Sequence, residues 1–278
     1  MAGSSRYLLG ADEAERQRLL VQGEIHRAEA EWLLDQCGPG PGGCAVDVGC
    51  GPLGVLDLLC ERVGPAGRVV GLDRDERMLA MAAASVAERG LGNVALARGD
   101  ATSSGLERGS FDLAHARLLL VNVPDPQGVL REMAALVRPG GAVAAQEVDW
   151  VSWVCEPPHP AWDRLREAVA AVWRANGCDV YLGRRLPALL RRAGLVEVGV
   201  RANARVFRRG DAYQTLLLSF VERVRGPLLE RGLLREPEID ELAAELGAHL
   251  DDEETIVLYK IFVQAWGRVG PSVHARGG

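Results

Sequence analysis

The sequence predicts an α/β protein built on a doubly wound sheet of seven strands, mostly parallel with an antiparallel last strand, and carrying helical lid insertions. Three observations predict it. Short apolar runs that end in an acid alternate with helical patterns from residue 43 to residue 149, the rhythm of βαβ units. Gly49-Cys50-Gly51-Pro52-Leu53-Gly54 spells G-x-G-x-x-G at the first strand-to-helix turn, where glycines bring a ligand close to the backbone. After residue 149 the pattern changes to aromatic and helical segments before one last β-rich run.

The elements follow in order. Residues 11–35 read as a helix, with Val21, Ile25, Ala28 and Trp32 on one stripe. The loop Gly38-Pro39-Gly40-Pro41-Gly42-Gly43 ends this cover, residues 1–42. Ala45–Val48 is the first strand and Val55–Cys60 opens the helix after the glycine turn. Arg68–Asp73 is the second strand; Asp73 stands roughly twenty residues past the glycines, the interval of a ribose-reading acid. A helix over Glu76–Arg89, a third strand Asn93–Ala97 and the turn Gly99-Asp100-Ala101 come next. Phe111–Ala116 is the fourth strand. Asp125 caps a helix with Pro126 at its first turn, and Ala142–Val148 is the fifth strand.

Beyond the core, Trp150–Pro160 reads as an irregular loop, Ala161–Ala175 and Leu186–Arg192 as helices, and Leu195–Val200 as the sixth strand. Arg201–Phe207 either continues that strand or turns back. Tyr213–Arg225 and Glu238–Leu250 are amphipathic helical patterns, and Thr255–Val263 fits the last strand. The stretch between the last two strands far exceeds the ~12–15 residues of a structureless loop. Residues 208–250 are therefore expected to form a lid, with residues 150–183 a second insertion at the same end of the sheet. The tail 270–278 is expected to be disordered, and the whole chain to be one domain with residues 43–149 as its binding core.

The binding residues point to a cationic nucleotide-like ligand. Asp47, two residues before the first glycine, would repel a pyrophosphate but attract a positive group, and S-adenosylmethionine carries both an ammonium and a sulfonium. On Asp47-x-Gly49-x-Gly51, Asp73 and Asp100, the chain resembles the class I S-adenosylmethionine-dependent methyltransferases, in the small-molecule branch common in bacterial secondary metabolism. The resemblance implies a Rossmann-like sheet and S-adenosyl-L-methionine as cofactor. It implies that the Asp47–Gly51 turn holds the methionine end, Asp73 the ribose hydroxyls and Asp100 the adenine. Arg74, Met78, Gly99, Ala101 and Arg117 complete that set, with Tyr7 and Gln22 reaching in from the N-terminal cover. Leu53 departs from the family pattern, and Gly54 supplies the third glycine one residue late.

Composition narrows the class. The chain has 278 residues, 48% hydrophobic and 25% charged, and a formal net charge of −6 with no basic run, which disfavours nucleic acid. Lys260 is its one lysine. Six cysteines show no C-x-x-C pair or zinc spacing, so no metal site is expected. The polar N-terminus and the lack of an apolar run of about 20 residues point to a cytoplasmic protein away from membranes. A small-molecule substrate and a homodimer are the expected partners.

Four residues are candidates for a base or anchor. Glu147 and Asp149 share one face at the end of the fifth strand. His115 lies near the end of the fourth, with a side chain suited to proton transfer at neutral pH. His159 sits in the proline-rich insertion. Trp150, Trp153, Trp162 and Trp173 suit an apolar pocket. The acceptor atom stays open between oxygen, nitrogen and carbon. Two other functions stay open beside methyl transfer: a cofactor-binding relative that catalyses a non-methylating reaction such as cyclisation, and a nicotinamide-dependent oxidoreductase.

Overall fold

The computed structural model describes residues 8–10 and 12–271; Tyr7 and residues 272–278 of the expected tail lie outside them. The N-terminal cover is two helices, α1 (Glu13–Ile25) and α2 (Arg27–Cys37). The single predicted helix breaks at His26, whose buried ring stacks on Phe262 at 4.0 Å. No proline marks that break in the sequence; a tertiary contact sets it.

The core then runs β1 (Cys44–Val48), α3 (Leu56–Val63), β2 (Arg68–Asp73), α4 (Glu76–Glu88), β3 (Val94–Arg98), β4 (Phe111–Arg117), α5 (Pro126–Leu136) and β5 (Val137–Asp149). Next come β6 (Val154–Glu156), α6 (Pro160–Ala175), α7 (Leu186–Arg192), β7 (Leu195–Asn203), β8 (Val206–Arg208), α8 (Leu216–Arg223), α9 (Arg225–Glu230), α10 (Glu236–Leu250), β9 (Ile256–Leu258) and β10 (Ile261–Val269). Asp75 and Asp125 cap α4 and α5 through Arg77 N and Gly128 N, both at 2.8 Å, as the sequence implies for α5.

Seven strands form the main sheet in the order β3-β2-β1-β4-β5-β10-β7. Six run in one direction, and β10 runs antiparallel to them between β5 and β7. This is the expected Rossmann-like sheet. Its strand order reverses beside β1, which opens a crevice at the carboxyl ends of β1 and β4. One face is covered by α2 and α3, the other by α5 and α7.

Two expectations are corrected. The run Thr255–Val263 is two strands rather than one. Ile256–Leu258 joins a small antiparallel sheet, β6-β9-β8, and the chain enters the main sheet only at Ile261. Tyr259 N donates to Arg205 O at 2.8 Å at the switch. The segment Trp150–Pro160 is likewise not wholly irregular, because Val154–Glu156 pairs with β9. The two insertions therefore share one cap. α6, α8, α10 and the small sheet pack around a common apolar core that includes Trp153, Trp162, Leu217, Val221, Leu246 and Val257.

Candidate functional site

The site begins at the end of β1. Gly49 and Gly51 hold φ of +74° and +54°, a region where a side chain strains the backbone. A Cβ on Gly49 would also strike Leu119, 2.8 Å away, whereas one on Gly51 would meet only open space. Asp47 braces this turn from behind. Its Oδ2 accepts Val55 N at 3.2 Å, and its Oδ1 lies 2.8 Å from His115 Nδ1. His115 Nε2 in turn meets Gln146 Oε1 at 3.1 Å. A side chain on Gly54 would run into the Asp47 carboxylate, so the third glycine serves that brace.

A cavity of about 1040 Å³ opens over the turn, at the upper end of the ~300–1,000 Å³ usual for small-molecule sites. Gly49, Gly51, Asp73, Arg74, Met78, Gly99, Asp100, Ala101, Arg117 and Gln22 all line it. Asp73 Oδ2 accepts Gly51 N at 3.0 Å and Oδ1 accepts Asp75 N at 2.9 Å. Burial pushes its pKa up despite these bonds. A carboxylate has about four lone-pair sites, so Asp73 keeps acceptor capacity for two hydroxyls, and the donors would relieve its desolvation. Asp100 is held by Thr102 Oγ1 at 2.6 Å and Thr102 N at 2.8 Å, which lowers its pKa. Arg117 donates to Gly54 O at 2.7 Å. The open space at Gly51, the under-bonded Asp73 and the row of strand-end acids fit a ribose-bearing cofactor.

Asp47 alone of the expected cofactor set within the described residues stands off the cavity wall. Its bonds to Val55 N and His115 order the turn.

None of the four candidate bases lines the cavity. On β5 it is Val148 that faces it, so strand alternation turns Glu147 and Asp149 to the other side. Glu147 is fully buried and accepts Leu120 N at 2.6 Å and Val121 N at 3.3 Å; burial raises its pKa to about 8. Asp149 pairs with Arg184 and caps Val151 N at 3.0 Å. His115 is buried with both ring nitrogens engaged. His159 caps α6 through Ala161 N at 3.2 Å and packs against His249. All four are structurally occupied.

The residue that sequence reasoning passed over is Lys260. It is buried between β9 and β10, yet lines the cavity. Its Nζ lies 4.0 Å from the ring centre of Trp153, 4.5 Å from Phe220 and 4.6 Å from Trp150. A lone lysine inside Ile256-Val257-Leu258-Tyr259-Lys260-Ile261-Phe262 was the signal available. Trp150 and Trp173 line the cavity, while Trp153 and Trp162 pack behind them. Leu118, also on the wall, holds φ of +55° directly after β4.

Residues 45–141 match the family model described as a methyltransferase domain. The chain is 43% identical over 120 residues to the nocamycin O-methyltransferase of Saccharothrix syringae, covering 43% of each chain. It spans less than two thirds of the length of this and other curated relatives it matches. Among solved structures, a putative methyltransferase of Bacillus halodurans C-125 shares the fold, with a TM-score of 0.58 and 15% identity over 86% of this chain and 97% of that one. The [4+2]-cyclase SpnF shares it too, with a TM-score of 0.52 and 20% identity over 86% and 80% of the two chains.

Proposed function

We infer that this chain is a class I S-adenosylmethionine-dependent methyltransferase that methylates a small metabolite, a natural product or its precursor; the methyltransferase-domain match over residues 45–141 and the seven-stranded sheet support the reading. One observation carries the reading: a single cavity joins the glycine turn after β1 and the acid-lined ends of β2 and β3 to an aromatic chamber under the cap. The nocamycin O-methyltransferase similarity supports the natural-product class.

When bound, S-adenosylmethionine supplies a methyl group on a sulfonium. The chain supplies position. Asp73 takes the ribose hydroxyls, and Asp100 with Gly99 and Ala101 borders the base. Gly49 and Gly51 let the methionine end lie against the backbone. Trp150, Trp173 and Phe220 exclude water from the transfer. Glu147, His115 and Asp149 act through the backbone and side chains they hold: Glu147 fixes the Leu120–Val121 turn, His115 fixes Asp47, and Asp149 fixes the entry to the cap.

Calorimetric titration tests the reading. S-adenosylhomocysteine should bind and NAD should not; the reverse would return the chain to nicotinamide chemistry. Labelled methyl transfer to candidate acceptors then separates a methyltransferase from a relative that holds the cofactor while catalysing cyclisation. A cytoplasmic setting and a homodimer complete the proposal. The open edge of the sheet at β7 offers one surface for pairing, and light scattering on the full chain tests for the dimer.

A further inference from the structure

The inner end of the cavity, below β5 and β10, is walled by rings and lined by two basic side chains with no carboxylate on the wall itself; the buried Glu15 pairs with Arg18 from behind. Val148, Trp150, Trp173, Phe220, Tyr259 and Lys260 form it, with Arg18 of α1 at its rim. The acids on the wall belong to the β2, β3 and α5 loops. Among the described residues, Lys260 has no ion-pair or hydrogen-bond partner, and its Nζ lies over the faces of Trp150, Trp153, Phe220 and Tyr259. Lysine is almost never buried unpaired, because a desolvated ammonium is costly and the amine releases its proton instead.

Burial drives the Lys260 pKa far down, and the charge of Arg18 pushes the same way. The other charged or titratable groups around it are Tyr259 beside it, Glu15 bound to Arg18 at 2.6 Å, and His26 behind. The ring faces oppose burial, since each tolerates a cation at about 4–6 Å. The result is an amine that stands neutral in the free protein and holds a proton once an oxyanion lies beside it, because an opposite charge favours the ammonium.

We propose that Lys260 is the catalytic base and oxyanion holder, and that the acceptor is an acidic hydroxyl, a phenol or enol, on a flat conjugated molecule seated among Trp150, Trp173 and Phe220. This rests on the methyltransferase reading above and names its substrate class. The hydroxyl proton moves to Nζ, leaving an oxyanion beside an ammonium. Arg18 and Lys260 face that oxygen as it loses its proton. The oxyanion then takes the methyl group by forming an O–C bond, while the pair of the broken C–S bond stays on sulfur. The ammonium releases its proton to water as products leave. Flat substrates suit the walls, because stacked rings contribute beyond their buried area.

The experiment uses the full chain, S-adenosylhomocysteine and para-nitrophenol, whose anion has its own visible absorption band. At one pH unit below the free probe's pKa, the wild-type protein should bind it as the anion, a shift of roughly tenfold or more in its ionisation. Lys260→Met, similar in length and apolar, should abolish the anion band. Lys260→Arg should keep the band but lose turnover of a phenolic acceptor by about 10²-fold or more, because an arginine holds its proton. S-adenosylhomocysteine affinity should stay the same in all three. Neutral probe bound to wild type, no probe binding, or identical spectra in wild type and Lys260→Met overturns the proposal. So does full turnover in Lys260→Arg. If Lys260→Met fails to fold, the wild-type spectrum and Lys260→Arg still decide. Loss of S-adenosylhomocysteine binding in wild type would instead overturn the methyltransferase reading, and the probe spectrum would still report on Lys260.

Discussion

Asp73 links the glycine turn to the cavity, because one carboxylate takes the Gly51 amide and faces the ligand space. Asp73→Ala should weaken S-adenosylhomocysteine binding by roughly 1.5–3 kcal/mol, the range for charge-assisted hydrogen bonds. Calorimetry on the folded variant checks it, and unchanged affinity would remove Asp73 from the site. Glu147 makes a pH prediction. Its folded pKa of about 8 stands above the ordinary value of 4.5, so the native state holds the proton longer than the unfolded chain. Stability from this group is full below about pH 4.5 and is lost as pH rises through about 8. The loss is on the order of a few kcal/mol. Glu147→Gln should flatten that part of the stability profile in denaturant titrations; an equally steep profile would assign the slope to other groups. The strand-end acids at Asp73 and Asp100 were legible in the sequence because each closes an apolar run before a turn. The side of β5 that faces the ligand was not legible. Alternation puts Glu147 and Asp149 together opposite Val148, but only the packing of the cap decides which side is the cavity.

The elements divide into a well-packed cap and a lightly anchored cover. α8 and α10 bury apolar faces in one core with α6. By contrast α1 fully buries only Glu15, and Arg223 ties its start through Asp12 at 2.7 Å and Leu9 O at 3.3 Å. Segments with few buried apolar contacts open most easily. Since Arg18, Leu19 and Gln22 on α1 face the cavity and α10 does not, ligand should slow amide exchange in α1 and in residues 118–125 and leave α10 unchanged. Equal slowing in α10 would make the cap itself the moving lid. The sheet was legible because parallel strands buried on both faces read as unbroken apolar runs. The split of the last run was not, since Ile256–Leu258 and Ile261–Val263 are both wholly apolar and are told apart by the partner strand each meets.

At the scale of the molecule, the proposed reaction assigns orientation and proton transfer to this chain's own side chains. Among the described residues no cluster of His, Cys, Asp and Glu is arranged to hold an ion. A chelator should leave S-adenosylhomocysteine binding and turnover intact; activity lost to chelation and restored by magnesium would mean that the substrate brings the ion, or that loops rearrange to bind it. The chain's two sheets share one continuous segment, with β9 in the cap, β10 between β5 and β7, and Lys260 at the joint. That joint limits how such pockets can be recombined. A cap exchanged between relatives with its seam before residue 255 would keep the host's β9 and lysine beneath a foreign roof. A seam placed after residue 269 would carry off an interior strand of the host's sheet. The cap is therefore no cassette: its strand β9 and the lysine at the joint cannot be exchanged without cutting next to an interior strand of the main sheet.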